Sequence, residues 1–168
     1  MGYFVEGNGV ITMPHDNEDK AYQALCDLNK KDHLKRGGSW GGELNSESPR
    51  PSGLDYHPAR WFSWMDPNYP AKCKNWKQIM EMVGFEFSGD HQTTMRDGRK
   101  ATVYYLNYDN KTGQEELFLN ALSPFAEGSI DWRGEDGDMW RDILGEESMK
   151  VQPLKPAPSG WATPFVER

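Results

Sequence analysis

The stretch Ser129-Ile130-Asp131-Trp132-Arg133-Gly134-Glu135-Asp136-Gly137-Asp138-Met139-Trp140-Arg141-Asp142-Ile143-Leu144 decides the fold. Ser129–Arg133 and Met139–Leu144 read as strands joined across Gly134-Glu135-Asp136-Gly137, because β-branched and aromatic residues flank a cluster of turn formers. A third strand, Ser148-Met149-Lys150-Val151, follows a turn at Gly145-Glu146-Glu147. Consecutive strands with short connections pair antiparallel. The strongest strand upstream is Thr102-Val103-Tyr104-Tyr105-Leu106, within 101–107, and Phe85-Glu86-Phe87-Ser88 alternates as another. The residues between them, 91–100, read as a polar turn region around Asp97-Gly98. Tyr3 to Met13 reads as a hairpin or one bent strand, broken at Gly7-Asn8-Gly9 and closed by Pro14.

Three amphipathic stretches lie between the strands. Asp16 or Asn17 caps a helix over 17–31, with Ala21, Ala24, Leu25 and Leu28 on one face. Pro70 opens a second over 70–83, facing inward with Trp76, Ile79, Met80 and Val83, and Gly84 ends it. Thr112-Gly113-Gln114-Glu115 has the spacing of a capping box before a third over 113–126, carrying Leu117, Phe118, Ala121, Leu122 and Phe125. The fold class is therefore α+β: a mainly antiparallel sheet with about three helices on one face. One domain spans 1–151. Inside it, residues 37–69 form a long irregular loop rich in aromatics. Residues 152–168 read as an extended arm, with Pro153, Pro156, Pro158 and Pro164, anchored by Trp161, Phe165 and Val166. The arm is expected to bridge to a second copy of the chain.

Composition narrows the function. The chain has 168 residues, a net charge of −7 and two cysteines. No stretch approaches the ~20 apolar residues of a membrane helix, and Met1-Gly2-Tyr3-Phe4-Val5-Glu6 lacks the basic-then-apolar order of a signal peptide. A soluble, cytoplasmic protein is expected, in the host cell's cytoplasm if the chain is phage-encoded. Acidity argues against direct nucleic-acid binding, since phosphate contacts need clustered Lys and Arg.

Motifs of chemistry are sparse. The histidines, His15, His33, His57 and His91, form no metal-ligand pair, and the acidic turn 131–138 departs from the spacing of a calcium loop. Neither a metal nor a cofactor is expected. Cys73, between Lys72 and Lys74 near a helix start, has a setting that lowers a thiol pKa, yet it and Cys26 read as ordinary free thiols. Lys35-Arg36-Gly37-Gly38 offers two cations and backbone amides to an anion, or else a hinge between helix and loop.

Two features are more informative. From Asp109 to Glu147 there are eleven acidic residues against Lys111, Arg133 and Arg141, so this segment holds the whole negative excess. Asp131, Glu135, Asp136, Asp138 and Asp142 in the meander can steer a basic partner, or form an ordinary solvated face. Trp40, Tyr56, Trp61, Trp64 and Tyr69 give the loop the residue types of binding hot spots; alternatively they cover one end of the core.

Tyr3-Phe4-Val5-Glu6-Gly7-Asn8-Gly9 with Leu34-Lys35-Arg36-Gly37-Gly38-Ser39, Phe62-Ser63-Trp64-Met65, Tyr108 to Glu116 and Trp132 to Gly137 resembles small proteins of actinobacteria and their phages, over most of 1–151. These are not motifs of known chemistry, so no residue role carries over. The resemblance implies a setting, an accessory gene of a phage or mobile element, whose small acidic products act by binding a host factor. The leading expectation is a non-enzymatic binding protein that inhibits a host protein with a basic surface. The alternatives are a nucleotide-like small-molecule binder using 35–42, and a small enzyme with a dispersed site of His57, Asp66 and Cys73.

Overall fold

The computed structural model describes residues 2–155 and 166–167. The fold is α+β. Its main sheet has seven antiparallel strands in the order β4-β5-β1-β6-β7-β8-β9. These are β1 (Phe4–Pro14), β4 (Glu86–Arg96), β5 (Arg99–Lys111), β6 (Glu127–Gly134), β7 (Met139–Leu144), β8 (Lys150–Lys155) and β9 (Val166–Glu167). A two-stranded ribbon, β2 (Gly37–Gly38) with β3 (Arg60–Trp61), closes the base of the long loop. The helices are α1 (Glu18–Leu28), α2 (Tyr69–Lys72), α3 (Trp76–Val83) and α4 (Glu115–Leu122). No helix among the described residues is long and apolar enough to cross a membrane.

The strands bury one face. Ile11 on β1 lies opposite Tyr104 of β5, while Trp132 of β6 lies opposite both Gly7 of β1 and Trp140 of β7. Val5, Ile11, Met13, Tyr104, Leu106, Tyr108, Ile130 and Trp132 are buried on this side, against Leu25 of α1, Ile79 and Val83 of α3, and Phe118 and Leu122 of α4. Glu6, Asn8, Val10, Tyr105 and Arg133 occupy the other side, open to solvent. Alternation of this kind is what one covered face requires.

Several expectations are corrected. Gly7-Asn8-Gly9 makes neither turn nor break: β1 runs straight through it and pairs on both sides. The glycine is there because a Cβ on Gly7 would stand 2.7 Å from the Trp132 ring, so the indole can lie flat only over a bare backbone. Residues 91–100 are not a turn region. β4 and β5 form a long hairpin whose turn is only Asp97-Gly98, with φ of 53° and 77°, the left-handed pair a two-residue hairpin turn needs. The second helix is two helices, because the chain goes extended at Cys73 and restarts at Asn75, whose side chain caps α3 by accepting from the Gln78 N–H. The third is shorter at both ends. Thr112 does not cap the backbone; its hydroxyl donates to the Glu115 carboxylate, 2.8 Å away, which also accepts the Gly113 N–H. The sheet also runs past residue 151. Pro153 pairs opposite Trp140 in β8, and Leu154 is 1% exposed. The proposed anchors Trp161 and Phe165 lie outside the described residues.

Replacing Gly7 with alanine is therefore expected to cost about 1–3 kcal/mol of unfolding free energy, because the added methyl has to displace the central tryptophan. Chemical denaturation of Gly7→Ala beside wild type checks this, and an unchanged midpoint would contradict the packing described.

Candidate functional site

The long loop is fixed by buried polar groups more than by apolar ones. Gln114, just before α4, accepts the Arg36 and Ser63 N–H groups at 3.0 and 3.3 Å and donates to the Leu34 carbonyl at 2.6 Å. Asp32 receives the Lys35 ammonium at 2.7 Å and the Arg50 guanidinium at 2.9 and 3.1 Å. Burial acts to raise the Asp32 pKa, but those two cations outweigh it and hold the carboxyl below its ordinary value. Burial lowers the Lys35 pKa in turn.

These contacts dispose of the expected anion-binding turn. The Lys35 side chain is wholly enclosed, bonded to Asp32 and lying over the Phe62 ring. Gly37 and Gly38 are paired in the β2–β3 ribbon with the Trp61 and Ser46 side chains against them. Arg36 alone stays exposed. The nucleotide reading loses its cradle with them.

The dispersed enzyme site fares no better. His57 is 1% exposed; its Nδ1 accepts the Ala59 N–H, so its Nε2 carries the proton and donates to the Ser48 carbonyl at 2.6 Å. Both nitrogens are committed to holding the loop. The Asp66 side chain receives the Asn68 N–H. Cys73 ends α2 rather than starting a helix, and burial raises its thiol pKa instead of lowering it, as it does for Cys26.

The loop aromatics divide between the two readings left open. Tyr69 is 0% exposed, donates to the Leu25 carbonyl and packs on Phe118, so it belongs to the core and not to a partner surface. Trp61 is partly covered against Gly37, and Tyr56 lines an open groove of about 450 Å³ beside α1. Trp40 and Trp64 are exposed, at 70% and 51%. Trp64 also holds a left-handed φ of 71°, uncommon for a tryptophan, with its indole against Gly113.

The meander acids do not form one face. Asp131 lies on the uncovered side, in a two-pronged ion pair with Arg141 at 2.6 and 3.2 Å. Glu135, Asp136 and Asp138 sit in the β6–β7 turn. There Glu135 accepts the Phe4 N–H, and Asp136 accepts the Tyr3 hydroxyl, which lowers the carboxyl and pushes the phenol up to about 12. Asp142 is on the covered side, 4% exposed.

What gathers is one end of the sheet. β1 begins there, β5 ends there, the β6–β7 turn folds over it and α4 starts above it. Asp109, Glu115, Glu116, Glu135, Asp136 and Asp138 collect at this end, with Trp64 beside them on Gly113. Within it lies a cavity of about 240 Å³, between α4 and strands β6 to β8, lined by Val5, Glu115, Glu116, Trp132, Trp140 and Asp142 among others. The Trp132 and Trp140 rings are parallel within 13°, with centroids 6.2 Å apart. Glu115 is satisfied by Thr112 and Gly113, whereas Asp142 has no hydrogen-bond partner among the described residues. The Trp132 indole N–H leans toward it and lowers its pKa without closing a hydrogen bond. Burial dominates, and with the Glu116 and Glu115 charges it lifts the Asp142 carboxyl to about 6. Burial likewise raises Glu116. Sequence reading counted Asp142 among the solvated acids. The alternation Trp140-x-Asp142-x-Leu144 was the signal that it shares the core face.

A carboxylate whose folded pKa of about 6 lies above its ordinary 3.8 destabilises the fold above pH 6, and this cost fades as pH falls toward 4. Asp142→Asn is therefore expected to raise the unfolding free energy at pH 8 by roughly 2–3 kcal/mol and to bring no gain near pH 4. Denaturant titrations at the two pH values check the sign and the trend.

Comparison of the chain with protein-family models, with curated proteins and with solved structures finds no match.

Proposed function

We propose that the protein is a non-enzymatic binding module that docks the acidic end of its sheet on a basic surface of another protein. In the phage setting implied by the resemblance, that partner is a host factor and docking inhibits it. The observation that carries the reading is the convergence of acids from two separate chain segments, 109–116 and 135–138, at the end where Trp64 stands exposed with a left-handed φ. A solvated acidic face needs no aromatic beside it, and tryptophan is among the residue types enriched at binding hot spots. Asp109, Glu116 and Asp138 make no ion pair among the described residues, so their field is available to steer association. Arg133 lies within this end beside Asp109 and Glu135, and Lys111 and Arg36 stand near it, so the patch is acidic on balance and not uniformly so.

Charge and aromatic contributions separate kinetically. With a captured partner from host lysate, Asp109→Lys together with Asp138→Lys is expected to slow association about tenfold and flatten its salt dependence, since such charges act over the 8–10 Å screening length. Trp64→Ala is expected to speed dissociation, costing about 2 kcal/mol of affinity, while changing stability by less than about 1 kcal/mol. Unchanged binding in both variants would sink the reading.

A further inference from the structure

We propose that the cavity between α4 and strands β6 to β8 binds an organic cation, a primary ammonium or guanidinium on a short alkyl chain, with the charge on Asp142 and Glu116 and the chain against Trp132 and Trp140. The proposal rests on the reading above only for the source of that cation, which would be a Lys or Arg side chain of the docked partner.

Asp142 supplies the first argument. A buried carboxylate is tolerated when paired or hydrogen-bonded. This one is 4% exposed, has no hydrogen-bond partner among the described residues, with the Trp132 indole N–H beside it likewise unpartnered, and lines an open cavity on the core face. It stands across from Ile130 on β6 and Val151 on β8, which offer no charge, while the acids reaching it from α4 are Glu115 and Glu116. Arg36 favours the ionised form of Glu116, while the charges that act on Asp142 itself are those of Glu116 and Glu115. The site therefore holds more negative charge than the chain neutralises, and the missing partner is a cation.

The walls decide which kind. Among the described residues no cluster of three His, Cys, Asp or Glu side chains is placed to hold a metal ion. Two indoles and the side chains of Val5 and Val151 make most of the lining apolar. Indole faces attract cations, most strongly when the site is dry. A volume of about 240 Å³ falls below that of sites for drug-sized ligands and suits one side-chain-sized group. Val151, 61% exposed, stands at the edge of the lining and leaves a way in.

The test uses the full chain and n-butylammonium chloride, with 1-butanol and sodium chloride as controls, read by the indole N–H signals of Trp132 and Trp140 in proton–nitrogen NMR. Butylammonium is expected to shift both signals saturably at pH 7.5, butanol and sodium chloride are not. Affinity should fall at least tenfold in Asp142→Asn, fall by a smaller factor in Glu116→Gln, and fall between pH 7.5 and 5 as Asp142 takes up a proton. Absence of a saturable shift, equal binding of butanol, or full affinity in Asp142→Asn would overturn the proposal. A second arm compares a short lysine peptide with its side-chain-acetylated form. Tighter binding of the free lysine peptide than of butylammonium supports a protein source, and binding of butylammonium alone supports a free amine. Butylammonium binding alongside unaltered partner capture by the Asp109 and Asp138 variants would keep the cavity and discard the docking surface, so the two proposals fail separately.

Discussion

The Trp132 indole lying over the bare backbone of Gly7 sets the geometry of the whole sheet. β1 is an interior strand, paired for eleven residues with β5 and for eight with β6. Any side chain at Gly7 would lift Trp132 off it, and the aromatic layer that follows from its position would be lost. Tyr108 and Phe85 pack edge-on against Trp132 and tilted against each other, and Trp140 continues the layer parallel to it. A second layer, Trp76 with Phe87 and Tyr104, repeats the arrangement under α3. Aromatic pairs of this kind add about 0.5–1.5 kcal/mol each beyond the area they bury. The aromatic layers therefore hold the helices at a fixed height above the strands.

That height creates the cavity. Large rings under α4 leave a gap beside the helix start, where β7 carries an aspartate in the register of a core residue. The Asp32–Lys35–Arg50 cluster and Gln114 fix the loop that flanks this end, so the gap is not closed by collapse of the chain around it. Buried polar networks that are fully satisfied rigidify a structure. The buried Asp142 carboxylate, raised to about 6 by its surroundings, is an energetic cost carried within that frame.

How much was legible in the chain differs by element. The α+β class, the antiparallel meander and the inward faces of α1, α3 and α4 follow from hydrophobic periodicity, which is local and survives any tertiary arrangement. Gly7 and Gly9 misled because glycine marks both a turn and a close approach, and only the positions of Trp132 against Gly7 and of Ser129 and Ile130 against Gly9, all more than a hundred residues away, tell the two apart. The residues 92–96 read as turn because their side chains are mostly polar and exposed, which is also what an edge strand shows.

For the candidate site, the sequence by itself determined that the negative charge is concentrated between residues 109 and 147 and that the aromatics crowd residues 40–69, since both are facts of composition. Tertiary structure alone decided which acids share a surface and which aromatics stay outside. Asp131 and Asp142 are both in the meander, yet strand alternation and pairing send one to an ion pair with Arg141 and the other into the core. Tyr69 and Trp64 are five residues apart, yet one fills the space over Phe118 and the other stands in solvent on Gly113. The physical reason is the same in each case: desolvation depends on what the rest of the chain brings within a few ångströms, and sequence distance carries no information about that.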